Sequence, residues 1–265
     1  MMKSPPVKPG KFARFMATLA EQSGKLIKQH YSETGIEPES KSDGTVVTRT
    51  DREAEALMRE LIRKTHPEHG IIGEEFGIDN PSAEFVWTLD PIDGTISYAL
   101  GCPLFGTLVG LLYENSPILG CIHIPVLDQL CIGDGELTTV NGKAVRVRST
   151  ARLSDATLLT TDIASIYHTG HRERFSLLLE RTRLFRTWGD CYGYLMVASG
   201  QADIMLDLSM KIWDVMPLIP IIRGAHGIIS TWSGEDPVRA TTCMATSPGL
   251  HPEVVEILDA RKRND

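Results

Sequence analysis

Leu89-Asp-Pro-Ile-Asp-Gly-Thr95 follows directly on the short apolar run Phe85-Val-Trp-Thr-Leu89. The end of a buried strand is a rigid mount for a charge, because the strand behind it cannot move. Pro91 fixes one φ and donates no backbone hydrogen bond, and Gly94 permits a tight turn beyond it. Asp90 and Asp93 can then converge on one point, with the Ile92 carbonyl between them. Carboxylate and carbonyl oxygens with room for retained waters are what a hard cation such as Mg²⁺ takes. A capped turn without any ligand is the competing reading of the same residues. An EF-hand fits worse: its third loop position would be Ile92, and its twelfth, where a bidentate acid is needed, would be Gly101.

Working outward, Ile71-Ile72 is a second apolar run that ends in acid, at Glu74-Glu75. Further upstream, Phe12, Phe15, Met16, Leu19, Leu26 and Ile27 predict a helix over 11–31, closed by Gly35 and Pro38. A loop through Lys41 to Thr45 follows, with a turn at Asp43-Gly44. Thr50-x-x-Glu53 has the capping-box pattern for a second helix, carried on by Ala54, Leu57, Met58, Leu61 and Ile62 and stopped near His66-Pro67. Downstream, strands are expected at 107–112, 118–124 and 129–132, then at 137–140 and 143–147 around the hairpin signal Asn141-Gly142. Residues 1–148 thus read as an α+β half with a largely antiparallel sheet. Residues 149–265 alternate as an α/β half instead. Strands are expected at 157–161, 184–187, 204–206, 228–229 and near Cys243, and helices at 171–181, 190–199, 213–223 and from Pro252. Layered helices and sheets in two halves, with the site between them, is the expected architecture. Asp214 can face Asp90 and Asp93 from the second half, although a helix dipole alone also accounts for an acid there.

The bulk composition narrows the function classes. A chain of 265 residues has ample room for a core, and 42% hydrophobic with 23% charged residues is ordinary for a globular protein. A net charge of -7, with one basic cluster at Arg261-Lys-Arg263, argues against a nucleic-acid partner. The longest apolar stretch, Val215 to Ile222, is interrupted by Pro217 and Pro220 and ended by Arg223, well short of the roughly 18 residues that span a bilayer. The N-terminus lacks the apolar core of a secretory signal, so a cytoplasmic location is expected. The five cysteines form no Cys-x-x-Cys pair, and the eight histidines show no ligand spacing. Walker, Gly-x-Ser-x-Gly and His-Glu-x-x-His motifs are absent.

Gly73-Glu-Glu75, Asp90-Pro-Ile-Asp-Gly-Thr95 and Trp213-Asp214, in this order and with these gaps, resemble the signature of the inositol monophosphatase family. The likeness runs from the Lys41 loop through Gly224-Ala-His-Gly227. It implies an αβαβα layered sandwich, a hydrolase acting on small phosphate esters, two or three Mg²⁺ ions with Mn²⁺ as an alternative, a homodimer and lithium sensitivity. By the same resemblance, Glu74, Asp90, the Ile92 carbonyl, Asp93 and Asp214 would bind metal. Glu75 would stand in an outer position or bind an additional ion. Thr95, partnered by Asp51, would orient the attacking water beside Glu74, and the Gly94 and Thr95 amides would hold phosphate oxygens. Metal-activated water would attack without a covalent intermediate. One departure concerns the loop. The family often carries an acid shortly before the Val-Thr-x-x-Asp run, where Thr45 stands here, which puts a loop contribution to a third metal in doubt. Lys41 either approaches the site or is a solvated loop lysine.

Two branches of the family compete for the substrate. Pro103-Leu-Phe-Gly-Thr-Leu108 and Trp188-Gly-Asp-Cys-Tyr-Gly-Tyr194, followed by Ala198-Ser-Gly200, resemble the histidinol-phosphatase branch. Histidinol phosphate brings an ammonium and an imidazole, which Asp190, Asp207 and Tyr192 could receive. Asp207 suits the hydroxyls of inositol 1-phosphate equally well, and Tyr192 and Tyr194 also read as core aromatics. A metal-binding scaffold without catalysis is the alternative of another class. Loss of Glu74, Asp90, Asp93, Thr95 or Asp214 would favour it, and all five are present.

Overall fold

The computed structural model describes residues 10–31, 38–41, 46–239 and 241–259. The expected closure at Gly35, the turn at Asp43-Gly44, Thr45 and the cluster at 261–263 lie outside the described residues. Helix α1 (Gly10–Tyr31) buries Phe12, Met16, Leu19, Ala20 and Ile27 along one face, the spacing read from the sequence. A small ribbon of β1 (Glu39–Ser40) and β2 (Val46–Val47) leads into α2 (Arg49–Thr65). The cap of α2 is not the expected Thr50-Glu53 box but Thr48 with Asp51. The Thr48 amide donates to Asp51 Oδ2 at 2.8 Å, and the Thr48 hydroxyl donates to the same oxygen. Glu53 is instead held by the exposed Arg49, and the short Asp51 side chain is fully buried.

An eight-stranded sheet follows, built from β3 (Gly70–Gly73), β4 (Gly77–Asp79), β5 (Phe85–Asp93), β6 (Gly106–Tyr113), β7 (Ser116–Ile124), β8 (Gln129–Gly133), β9 (Thr138–Val140) and β10 (Lys143–Ala144), with α3 (Thr95–Ala99) between β5 and β6. Its order is β10-β9-β8-β7-β6-β5-β3-β4, and only β3 and β5 run parallel. Asp90 pairs with Leu108 and Asp93 with Gly106, so Pro91-Ile92 forms a bulge on β5. The Thr107 hydroxyl, donating to the Pro91 carbonyl at 2.8 Å, pins that bulge from β6.

The second sheet contains β11 (Thr157–Thr160), β12 (Leu184–Arg186), β13 (Ile204–Asp207), β14 (Ile228–Ser230) and β15 (Cys243–Thr246), in the order β12-β11-β13-β15-β14. β12, β11 and β13 are parallel, and β15 is antiparallel to both β13 and β14. The helices of this region are α4 (Ile163–His168), α5 (Arg172–Arg181), α6 (Asp190–Ala198), α7 (Ile212–Gly224) and α8 (His251–Leu258). Neither β4, α3 nor α4 was expected from the sequence: each is too short to show a period.

The layers are αβαβα. Met16, Leu19, Met58 and Ile62 of α1 and α2 pack on Trp87, Leu89, Val109 and Leu111 of the larger sheet. α6 and α7 fill the space between the sheets, through Val197, Val215, Leu218 and Ile222, against Leu108 and Ile122 on one side and Met205 and Ala245 on the other. Phe175 and Leu178 of α5, with Val254 and Leu258 of α8, cover the outer face of the smaller sheet. No helix among the described residues is long and apolar enough to cross a membrane. α7 approaches the larger sheet closely because glycines lie beneath it. A Cβ at Gly120 would stand 1.9 Å from the Pro217 carbonyl oxygen, and one at Gly133 would stand 2.5 Å from Ile221 Cα. Gly110, whose Cβ would stand 3.3 Å from Pro217, continues the strip. That close seat places the first turn of α7, with Asp214, at the end of β5.

Candidate active site

Carboxylate oxygens of Asp90, Asp93 and Asp214 all lie within 4.8 Å of one another. Asp93 Oδ2 accepts the Cys191 amide at 2.5 Å, and Asp214 Oδ2 accepts the Lys211 amide at 2.7 Å, capping α7. Asp90 is 3% exposed, yet its Oδ1 has no hydrogen-bond partner among the described residues. Burial, then repulsion from Glu74 and Asp93, holds the Asp90 carboxyl well above the usual range. Burial and the neighbouring Asp214 raise Asp93 likewise, and burial raises Asp214 against the pull of the Lys211 amide. An orphaned buried oxygen among hard donors, in a cluster whose repulsion a cation relieves, fits a divalent metal.

Glu74 completes this wall. It lies just past β3, and its amide donates to the Leu89 carbonyl at 3.1 Å, which sets it beside the end of β5. Lys41 does reach the site: its Nζ is 2.9 Å from Glu74 Oε1 and 2.6 Å from Glu75 Oε1. Burial pushes Lys41 down, but its hydrogen bonds to Glu75 and Glu74 outweigh that and raise it to about 12. Burial pushes Glu75 up to about 7, with Lys41 opposing. The Thr95 hydroxyl lies 3.0 Å from the Ile92 carbonyl and 3.4 Å from Asp51 Oδ1. Burial raises Asp51 to about 6, against the two donors of Thr48. Gly94, at φ 89°, caps α3 in the left-handed region that favours glycine. The amides that open a helix have no partner within it.

Lys41, Glu74, Asp90, Ile92, Asp93, Gly94, Thr95 and Asp214 line one cleft of about 350 Å³. Asp93 and Asp214 also belong to an adjoining cavity of about 210 Å³, lined by Thr161, Asp162, Ser165, Asp190, Tyr194 and Asp207. The Asp190 amide donates to Thr161 Oγ1 at 2.7 Å, and the Thr161 amide donates to Asp207 Oδ1 at 3.2 Å. Burial and the nearby Asp93 raise Asp190 well above the ordinary range. Burial takes Asp207 up to about 8, with Thr161 opposing and Asp190 adding. Among the described residues no lysine or arginine is ion-paired with either acid. Tyr192 packs half-buried on the central core, and it is Tyr194 that lines the cavity. Thr161, Asp162 and Ser165 escaped the sequence reading. A signal existed: Asp162-x-x-Ser165 after an apolar strand is a helix-start pattern, and Asp162 accepts the Ala164 and Ser165 amides.

A second ligand-like group runs against the reading that the eight histidines show no ligand spacing. His66, Glu68 and His69 also place potential ligand atoms within 4.8 Å of one another. Here the donors are committed. His69 Nδ1 accepts Trp87 Nε1–H at 3.0 Å, so a neutral ring carries its proton on Nε2, beside Glu68 at 3.3 Å. Neither nitrogen of His69 is then free for a metal without forming an imidazolate. The ring is stacked on His66 at 4.5 Å and wedged among Phe12, Phe85 and Trp87.

A layered αβαβα fold thus brings acids from the larger sheet and from α7 to one cleft, where Asp90, Asp93 and Asp214 could hold a metal ion. Comparison with known proteins agrees. The model of the inositol monophosphatase family matches residues 9–263. A chloroplastic bifunctional phosphatase of Arabidopsis thaliana is 37% identical over 85% of this chain, which spans 65% of that protein's length. A histidinol-phosphatase of Chlorobaculum parvum is 36% identical, over 83% of this chain and 85% of its own. The solved structure of an inositol monophosphatase from Zymomonas mobilis superposes with a TM-score of 0.82 at 30% identity, covering 92% of this chain and 96% of that one. The chain belongs to the inositol monophosphatase family, and its class is that of the phosphoric monoester hydrolases.

Proposed function

We propose that this chain is a Mg²⁺-dependent phosphomonoesterase whose substrate is histidinol phosphate. The observation that carries the substrate is the pair Asp190 and Asp207, one half-buried and one buried acid in the cavity beside the candidate metal cluster, with no ion-paired cation among the described residues. Such a pair favours a ligand that brings positive charge. The relative from Chlorobaculum parvum supports the reading. Asp207 and the neighbouring Ser209 keep inositol 1-phosphate as the second reading, because a polyol would also meet hydrogen-bonding groups there.

Glu74, Asp90, Asp93, Asp214 and the Ile92 carbonyl would hold the ions, two or three in number, with Mn²⁺ able to replace Mg²⁺. When bound, they lower the pKa of coordinated water and neutralise charge on the phosphoryl group. The chain's own residues handle the proton. Thr48 occupies Asp51 Oδ2 with two donors, which leaves Oδ1 toward the Thr95 hydroxyl. A carboxyl tuned toward neutrality, behind a hydroxyl in the cleft, suits a proton acceptor that works through that hydroxyl. The Gly94 and Thr95 amides would hold phosphate oxygens, while Asp190 and Asp207 would receive the amino alcohol. Residues 1–148 and 149–265 would act as the two halves that close on the substrate, in a homodimer.

The test is kcat/KM on histidinol phosphate and on inositol 1-phosphate, with Mg²⁺ and with EDTA. Charge-assisted hydrogen bonds to Asp190 and Asp207 should favour histidinol phosphate by about 10- to 100-fold, and EDTA should abolish both activities. A preference for the inositol ester would reverse the substrate assignment, and turnover in EDTA would refute the metal.

A further inference from the structure

Glu74 stands in the turn between β3 and β4, and that turn is held from outside its own hairpin. The next two amides, those of Glu75 and Phe76, donate to the Glu55 carboxylate on α2, at 2.7 Å to Oε2 and 3.2 Å to Oε1. Arg59, one helical turn further on, donates from Nε to Glu55 Oε1 at 2.7 Å and from its terminal nitrogen to the Gly77 carbonyl. Glu55 is fully buried and Arg59 nearly so. Gly73 leaves the space they fill: a Cβ there would lie 2.0 Å from Glu55 Oε1 and 2.8 Å from Arg59 Nη2.

A buried ion pair within one helix is a poor way to add stability, because desolvation offsets the attraction. Apolar side chains would serve the helix as well. What distinguishes this pair is where its remaining hydrogen bonds go: into the turn that begins with Glu74. Asp51 lies one turn before Glu55 on the same face of α2. One rigid helix therefore fixes both the acid behind Thr95 and the segment that aims Glu74.

We propose that Glu55 is a positioning residue for Glu74, fixing its turn through the Glu75 and Phe76 amides, with Arg59 locking the Glu55 carboxylate in place. The proposal rests on Glu74 being a metal ligand, as in the proposed function. Glu55→Gln is nearly isosteric, but its amide nitrogen would face a donor in place of an accepting oxygen. The experiment is Mn²⁺ binding to the metal-free protein, read from the electron paramagnetic resonance of unbound Mn²⁺, alongside the Mg²⁺ requirement of turnover. Glu55→Gln should weaken Mn²⁺ binding by about 10- to 100-fold, the usual effect of losing a partner behind a metal ligand. The KM for the phosphate ester at saturating Mg²⁺ should stay unchanged.

Glu74→Gln should also weaken binding, and adding Glu55→Gln to it should cost little more, because both act on one ligand. Should Glu55→Gln fail to fold, Arg59→Lys, which keeps the charge but loses the fork of donors, should show a smaller weakening. Normal Mn²⁺ binding in Glu55→Gln or in a folded Arg59→Lys, with Glu74→Gln impaired, would overturn the positioning role and leave the metal assignment standing. Full additivity of the two glutamine substitutions would overturn it as well. Normal binding in Glu74→Gln would remove the assignment of Glu74 itself, and the positioning role with it.

Discussion

The wall of the cleft built on β5 and the wall contributed by β13, α6 and α7 bring acids together by different means. On the first, Asp90 and Asp93 flank a bulge pinned by Thr107, and Glu74 is tied to the same strand through the Leu89 carbonyl. Local backbone geometry sets that arrangement. On the second, Asp190, Asp207 and Asp214 come from α6, β13 and α7, and meet only because the sheets stack around two central helices. In the proposed reading the first wall, together with Asp214, serves the chemistry that any phosphate ester needs, and Asp190 and Asp207 of the second decide which ester is taken.

Substitutions can break or sharpen that contrast. In the proposed reading Asp93→Asn removes a metal ligand, so kcat should fall beyond the roughly 100-fold limit typical of outer partners. Circular dichroism should show the fold kept, because the change relieves repulsion. Appreciable turnover at saturating Mg²⁺ would erase the distinction between the walls. Next in size, Asp190→Asn should lower kcat/KM by about 10- to 100-fold on histidinol phosphate and leave inositol 1-phosphate nearly unaffected. Equal losses on both esters would place Asp190 in the common machinery.

The acids of both walls share one thermodynamic mark. Glu75 at about 7 and Asp207 at about 8 hold protons that the unfolded chain has already lost. Where the folded state binds more protons than the unfolded state, stability falls as pH rises. From about pH 7 to about pH 8, ordinary carboxylates have finished titrating, while histidines retain only a minority of their protons and thiols have lost only a minority of theirs. Over that window the thermal midpoint in EDTA should drop, and saturating Mg²⁺ should flatten or reverse the slope. A midpoint that climbs with pH in EDTA would contradict the upward shifts that burial gives Glu75 and Asp207. The smallest effect is expected at Tyr192. Its ring packs on the core outside the cavity, so Tyr192→Phe should shift stability by no more than about 0.5 kcal/mol and change kcat/KM little on either ester.

The same contrast explains what could be read from the sequence. Asp90, Asp93 and Thr95 were legible because proline, glycine and acid within one short run constrain each other. The long helices and the β6–β9 meander were legible from periodicity and from Asn141-Gly142. The true cap of α2 was not, because Thr50-x-x-Glu53 matches the pattern as well as Thr48-x-x-Asp51, and only burial separates them. Thr161 joins Asp190 to Asp207 because β11 lies beside and parallel to β13, a pairing that no local pattern encodes. His66 and His69 show the opposite failure. They are close in sequence and in space, but Trp87 has taken the nitrogen that a ligand would need.

The strip of glycines under α7 bears on any attempt to make this protein more heat-resistant. Replacing glycine by alanine commonly stabilises a fold, by about 0.4–1 kcal/mol, because it restricts the unfolded chain. At Gly120 and Gly133 the added methyl would strike helix backbone and act as a wedge, tipping α7 and with it the acid at its first turn. Gly10, which opens α1 with nothing among the described residues within 4 Å of where a methyl would go, is a sound place to begin such a programme.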